Sequence, residues 1–369
     1  MQFQVKTDDI VETRLVDGGM RPALGAGAVR VRVDKFGLSA NNVTYAAAGF
    51  TLGYWTFFPP YDPSNSTSGG TSEGWGVVPV WGFATVVEST SADIPVGERL
   101  FGYFPPAKTV DLEPVQVSSS LFVDGAAHRS ELPTGYNVYR RVGTGNGFTG
   151  GLSEEHYMLL YPLYITSFAL WDLLAENNWY GAKRIILTSA SSKTSIGLAH
   201  GLRVDAAAPA CLGLTSARNV PFVQSIELYD VVVSYEDIET LDASIPTVIV
   251  DMAGNGALLG QLHNHLGDSM VQTLQVGLTH WDGDIRNPAI NRDRSTFFFA
   301  PSQIQKRMKD WGPQGFQEKS SAYLLAAVAH TQSWLNLHTS ESLADLPDIY
   351  GRVCRGDANP EDGFVFTLN

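Results

Sequence analysis

Cysteine is nearly missing from this chain: Cys211 and Cys354 are the only two in 369 residues. That is too few for a disulfide framework or a cysteine-rich zinc site, and it suits a reducing cytoplasm. Charge is sparse at 17% and lopsided, with 25 basic against 38 acidic residues and a net charge of −13. No basic patch offsets it, which argues against nucleic acid and anionic membrane as partners. The opening residues, Met1 to Asp9, have neither a basic n-region nor an apolar h-region, and no apolar run reaches the roughly 18 to 20 residues of a membrane span. A cytoplasmic location is expected. There is no internal repeat of useful period, and no G-x-S-x-G elbow, which sets a serine hydrolase aside.

What is present is ordinary globular material. The hydrophobic share is 44%, with 36 Gly and 19 Pro, enough for two or three domains with sizeable cores. Over the first 150 residues, short β-type runs end in turn residues: Val29 to Val33, Val77 to Val87, Arg99 to Tyr103 and Leu112 to Val117. Between Phe50 and Gly76 the pattern lapses into aromatics and a Ser/Gly-rich tract, read as a long loop that is either a lid or a disordered insert.

Beyond residues 143–151 the period changes. A helix is expected from Tyr161 to Glu176, followed by alternating strands and helices. The strands are Lys183 to Ser189, Ala210 to Thr215, Asp230 to Tyr235, Thr247 to Met252, Gln272 to Leu278 and Ser295 to Ala300. The helices are Thr194 to Arg203, Ala217 to Leu228 and Ala257 to Leu266, with two more at Gln303 to Lys309 and Ser320 to Leu337, and a closing strand at Phe364 to Leu368. The order implies an α/β chain with a parallel doubly wound sheet.

In such a sheet the first strand-to-helix turn holds phosphate at a helix N-terminus. Here that turn runs from Ser189 to Gly197, with serines at positions 189, 192 and 195 where a dinucleotide fold carries glycines. Ser189, Ser191, Ser192, Lys193 and Thr194 are the candidates to hold a pyrophosphate. A position requiring positive φ disfavours serine, so a turn of altered shape is expected. A P-loop is rejected because its glycine positions are Leu187 and Ser192. The bland alternative is a Ser-capped helix start that binds nothing.

The second strand ends in Leu214-Thr-Ser-Ala-Arg-Asn219, where an NAD enzyme carries a carboxylate for the ribose hydroxyls. Ser216 and Arg218 instead suit a 2′-phosphate, favouring NADP(H), with Asn219 beside them. Alternatively, Ser216 is a helix cap and Arg218 a solvated residue.

The order of motifs resembles the medium-chain dehydrogenase/reductase superfamily. Ala26 to Val33 resembles its early "G-x-V-x-V-x-V" strand, Phe36 to Gly49 the "GLN-x-x-D-x-x-x-x-x-G" segment that follows, and Val78 to Ser89 and Ile94 to Gly102 its later glycine-bearing runs. The departures, serine for glycine and an insert near residues 55–76, resemble a divergent branch of bacterial and fungal proteins known only as a domain of unknown function. The resemblance implies a GroES-like catalytic domain at 1–160 and 304–369 and a Rossmann nucleotide-binding domain at 161–303. It also implies a homodimer by analogy.

Zinc-dependent members carry catalytic Cys and His where this chain has Ser39, Asn41 and Asn42, so no metal is expected. His263 and His265 lie two apart on a helix and are read as surface residues. The zinc-free quinone, enoyl and alkenal reductases are the closer resemblance, and they imply hydride transfer to a small-molecule alkene, quinone or ketone. Tyr54, Tyr45 and Asn42 are the catalytic candidates, as donors to a developing oxyanion, with packing roles left open for each. Trp55, Phe57, Phe58 and Tyr61 suit either an apolar wall for a bulky substrate or plain core. Gly254, with Asp251 and Asn255 at the end of the fourth strand of the nucleotide domain and residues 277–279 at the end of the fifth, lies where the resemblance implies backbone contact with the nicotinamide half of the cofactor. The competing class is a dinucleotide-binding sensor or structural protein without turnover.

Overall fold

Val29, Val31 and Val33 alternate with Arg30 and Arg32, and the alternation becomes a strand, Val29–Leu38, with the valines fully buried. The computed structural model describes residues 1–17, 22–61, 73–143, 148–277 and 287–368. Residues 62–72 of the expected loop, 144–147 of the segment where the period changes and 278–279 at the expected end of the fifth strand lie outside the described residues. The chain divides into two units, Met1–Leu159 with Leu335–Asn369, and Leu160–Trp334. Residues 304–334, expected in the first unit, belong to the second. The reason is packing: Arg307 pairs with Asp172 at 2.6 Å, and Tyr323 donates to the Gly197 carbonyl at 2.6 Å.

The first unit is strand-rich. Its main sheet runs Asn336–Ser340, Asp362–Thr367, Val29–Leu38, Val80–Ser89, Arg99–Phe104, Val138–Arg141, Leu121–Asp124, Pro114–Val115, with Thr109–Leu112 also on Val29–Leu38. The strand expected over Leu112 to Val117 is thus two short ones on different partners, because Pro114 has no N–H to continue a ladder. Likewise Leu337 stands in a strand, not at a helix end.

The second unit holds a parallel sheet in the order Val231–Ser234, Ala210–Thr215, Arg184–Leu187, Thr247–Asp251, Met270–Gln275, Ser295–Phe297. Numbered by chain position this is 3-2-1-4-5-6, the order of the doubly wound dinucleotide fold. Successive residues of the first strand feed opposite faces. Ile185 and Leu187 pack with Leu170, Leu174 and Leu198, while Ile186 packs with Leu258, Leu259 and Leu262.

Several helices differ from the sequence reading. Glu154–Glu176 begins seven residues before the expected Tyr161, and it is long and apolar enough to cross a membrane by length and composition, although 61% of its apolar window is buried in the protein. Ala217 to Leu228 resolves into a 3-10 turn, Ala217–Asn219, and a short helix, Val220–Ser225, with a proline in its first turn. The two late helices form one run, Ala300–Thr331, broken at Gly312 (φ 73°) before Pro313. His263 is a correction: it is 5% exposed, accepting from the Asn291 N–H at 2.9 Å and meeting Thr273 Oγ1 at 2.9 Å. Burial lowers its pKa. It lies four residues after Leu259 and so shares that residue's inward face.

Candidate functional site

In the second unit, the strand Arg184–Leu187 and the helix Lys193–Val204 are joined by the turn that the sequence marks out. Ser192 caps the helix: its Oγ accepts the Ser195 N–H at 3.3 Å and donates to Ser195 Oγ at 3.0 Å. Ser195 Oγ, fully buried, donates to the Thr188 carbonyl at 3.0 Å. Hydroxyls thus stitch strand to helix where glycines would let the two backbones close up directly. Gly197 survives because a Cβ there would stand 2.6 Å from the Tyr164 ring.

The altered turn shape expected for serine is overturned at the first position. Ser189 adopts φ +48°, the left-handed region in which a side chain costs about 1–2 kcal/mol. Two tyrosines hold it there. Tyr235 Oη accepts the Ser189 N–H at 3.0 Å, and Tyr229 Oη donates to the Ala190 carbonyl at 2.7 Å. Ser189→Gly is therefore expected to stabilise the protein by about 1 kcal/mol, read as a higher urea midpoint. A midpoint that stays put or falls would mean that the turn carries no strain.

The structure brings most of the predicted cofactor residues together. Ser191 Oγ accepts from Thr215 Oγ1 at 3.3 Å and from Asn219 Nδ2 at 3.1 Å. The pyrophosphate-type turn is thereby tied to the segment bearing Ser216 and Arg218. Ser216 precedes the 3-10 turn without a side-chain cap bond, and Arg218 is exposed. Ser189, Ser191, Ser192, Lys193 and Thr194 are all half-buried. At the neighbouring strand end, buried Asp251 accepts from Thr188 Oγ1 at 2.7 Å, from Ala253 N–H at 3.1 Å and from Gly254 N–H at 3.3 Å. The Gly254 N–H is thus turned inward to Asp251. Sequence reading missed Thr188, Tyr229 and Tyr235. Thr188 and Tyr235 directly follow the carboxyl ends of their strands, where this fold gathers its ligand-facing residues, whereas Tyr229 precedes its strand and no local signal marks it.

In the first unit Asn42 completes a capping box on the helix Ala40–Ala47. Its Oδ1 accepts the Ser39 N–H and its Nδ2 donates to the Pro79 carbonyl, each at 2.9 Å. Both ends of the amide are held by backbone. Tyr45 and Tyr54 are buried, with ring centroids 4.6 Å apart. Tyr45 Oη accepts from Asn41 Nδ2 at 2.6 Å and from Trp81 Nε1 at 3.3 Å, while Tyr54 Oη lies 3.0 Å from Tyr136 Oη. Burial raises the pKa of both phenols, so both are protonated donors at neutral pH. Trp81, Tyr103 and Tyr136, none singled out by sequence, complete this cluster. Phe57 and Phe58 are core residues, and Arg129 stacks over Phe58 at 4.6 Å. Trp55 and Tyr61 are half-buried.

The six-stranded parallel sheet in this order, with a hydroxyl-rich turn at its first strand, defines the doubly wound dinucleotide-fold class, here in one chain with a β-rich unit. The chain belongs to the family described as protein of unknown function (DUF2855), which matches residues 36–359. No curated protein sequence matches it. Its fold is that of the medium-chain dehydrogenase/reductases. It is similar to CurA of Vibrio vulnificus in complex with NADPH, at TM-score 0.61 and 11% identity, over 97% of this chain and 94% of that one. It is also similar to the Etr1p/NADP/crotonyl-CoA complex, at TM-score 0.56 and 10% identity over all of both chains. Mycobacterial Rv1454c complexed with NADPH gives TM-score 0.55 and 12% identity over 99% of each chain.

Proposed function

We propose that this protein is an NADPH-dependent, zinc-independent reductase of an activated alkene, quinone or ketone, working in the cytoplasm as a homodimer. The observation that carries the reading is the joining of two turns through Ser191, two residues before Lys193, to Thr215 and Asn219, which bracket Ser216 and Arg218 in sequence. Their donor set suits phosphate. The second strand ends in Thr215 and is followed by Ser216, with no carboxylate there to repel a 2′-phosphate. The NADPH and NADP complexes of the similar structures support the same cofactor.

Ser191, Ser192, Lys193 and Thr194 would hold the pyrophosphate at the helix N-terminus. Ser189 would flank it, Ser216, Arg218 and Asn219 would hold the 2′-phosphate, and the Gly254 backbone would lie toward the nicotinamide half. The nicotinamide, when bound, supplies a hydride. Tyr54 and Tyr45 are assigned the proton and the hydrogen bond that the substrate oxygen requires as charge grows on it. Asn42 would act through its capping box, by fixing the helix that carries Tyr45. A bulky or aromatic acceptor is the class assigned to this site, although the Trp55 ring packs closely against Gly49 and Gly76.

The test is titration of the purified protein with NADPH and NADH, followed by nucleotide fluorescence. NADPH should bind selectively. Arg218→Ala should weaken NADPH by about 10- to 100-fold and leave NADH nearly unchanged, whereas Lys193→Ala should weaken both. Equal losses for the two cofactors in Arg218→Ala would sink the 2′-phosphate assignment. The second reading, a dinucleotide-binding sensor without turnover, draws on the deep burial of Tyr45 and Tyr54. Selective NADPH binding with no oxidation across enones, quinones and ketones would favour it.

A further inference from the structure

We propose that Tyr136 is the proton-delivery partner of Tyr54, so that the two hydroxyls form a relay from the half-buried side of the aromatic cluster to its buried centre. The inference rests on the reductase reading and adds a residue to it. Tyr54 is 6% exposed, whereas Tyr136 is half-buried. Their hydroxyls are 3.0 Å apart, within range for proton transfer, and their rings meet edge to face at 84° with centroids 5.8 Å apart. Tyr136 is held in place by Phe57 at 5.2 Å and Tyr103 at 4.9 Å, ring to ring. Its backbone is set by a 3-10 turn, Thr134–Tyr136. The Tyr45 hydroxyl, by contrast, already accepts from Asn41 and Trp81.

Burial raises both phenols, so both hydroxyls hold their protons at neutral pH. The direction of the relay follows from position: Tyr54 is the more deeply buried of the two and takes the substrate end, with Tyr136 on the half-buried side. In the step proposed, the Tyr54 O–H breaks and its proton goes to the substrate, which has accepted a hydride from NADPH. The Tyr136 O–H then breaks to restore Tyr54, and water reprotonates Tyr136. Atoms and charge balance at each stage.

The experiment uses the full chain with NADPH and a panel of enones and quinones, comparing wild type, Tyr54→Phe, Tyr136→Phe and the double variant. Phenylalanine keeps the packing ring. Tyr136→Phe should lower kcat by about 10- to 100-fold at constant KM, and the double variant should be no slower than Tyr54→Phe alone. Small soluble acids should restore part of the loss. A kcat for Tyr136→Phe within about twofold of wild type, or losses that multiply in the double variant, overturns the relay while leaving the reductase reading standing. Binding of NADPH with no turnover of any acceptor by wild type overturns both. If the variants do not fold, a proton inventory on wild type decides: a curved dependence on deuterium content supports two protons in flight, and no solvent isotope effect overturns the proposal.

Discussion

Replacing Asp124 by alanine is expected to destabilise the protein by about 3–5 kcal/mol, the cost of leaving its partner charge buried and alone. Asp124 is 3% exposed and ion-paired with Arg129, which is 2% exposed. The pair is only partly hydrogen-bonded: Asp124 Oδ2 and Arg129 Nε have no hydrogen-bond partner among the described residues. Asp124 also accepts the Glu113 N–H at 2.6 Å, and Arg129 also donates to the Phe57 carbonyl at 2.9 Å and stacks on Phe58. Burial lowers the pKa of Arg129, the direction expected of a guanidinium whose charge is expensive where it sits. Denaturant unfolding followed by tryptophan fluorescence would measure the loss, and the double variant Asp124→Leu/Arg129→Met should recover much of it. A loss below about 1 kcal/mol would place the pair among ordinary surface ion pairs. The effect should reach the aromatic cluster, because Arg129 holds the Phe57 carbonyl and the Phe57 ring packs 5.9 Å from that of Tyr54.

Gly277→Ala should be nearly as damaging, by about 3 kcal/mol, and it should abolish dinucleotide binding as well. A Cβ at Gly277 would stand 1.9 Å from the Met252 carbonyl oxygen, a contact with backbone that no rotamer can relieve. The Val276 and Gly277 N–H groups both donate to the Asp251 carbonyl, at 2.8 and 3.1 Å. The alanine would therefore push on the segment Asp251–Gly254, whose side-chain and backbone bonds reach Thr188 and so the turn at Ser189. Unfolding curves and NADPH titration of the same preparation would test both halves. A variant of wild-type stability that binds NADPH normally would show that the two strand ends are independent.

The doubly wound half was legible because its strands are short apolar runs, buried on both faces, with helical spacing between them. Ala210–Thr215 is observed at the predicted boundaries. The serine turn was legible too, since a strand, a small-residue turn and a helix in that order require no knowledge of distant contacts. Helix ends were less so. Glu154–Glu176 begins early because Lys35 and Arg99 pair with Glu154 and Lys35 with Glu155, at 2.7 to 3.0 Å, partners from strands more than 50 residues away. Local periodicity carries no trace of them.

By itself, then, the sequence determined the order of elements, the sheet type and the small, hydroxyl-bearing character of the first turn, because these follow from local spacing and residue chemistry. Tertiary structure alone decided three other things. It forced Ser189 to a left-handed φ through two tyrosines that flank the edge strand Val231–Ser234, Tyr229 before it and Tyr235 just after it. It turned His263 and the Asn42 amide inward as structural groups. It also brought Tyr136 to within a hydrogen bond of Tyr54, across 82 residues of chain. Each is a long-range contact, and its energy depends on what stands opposite in the folded protein.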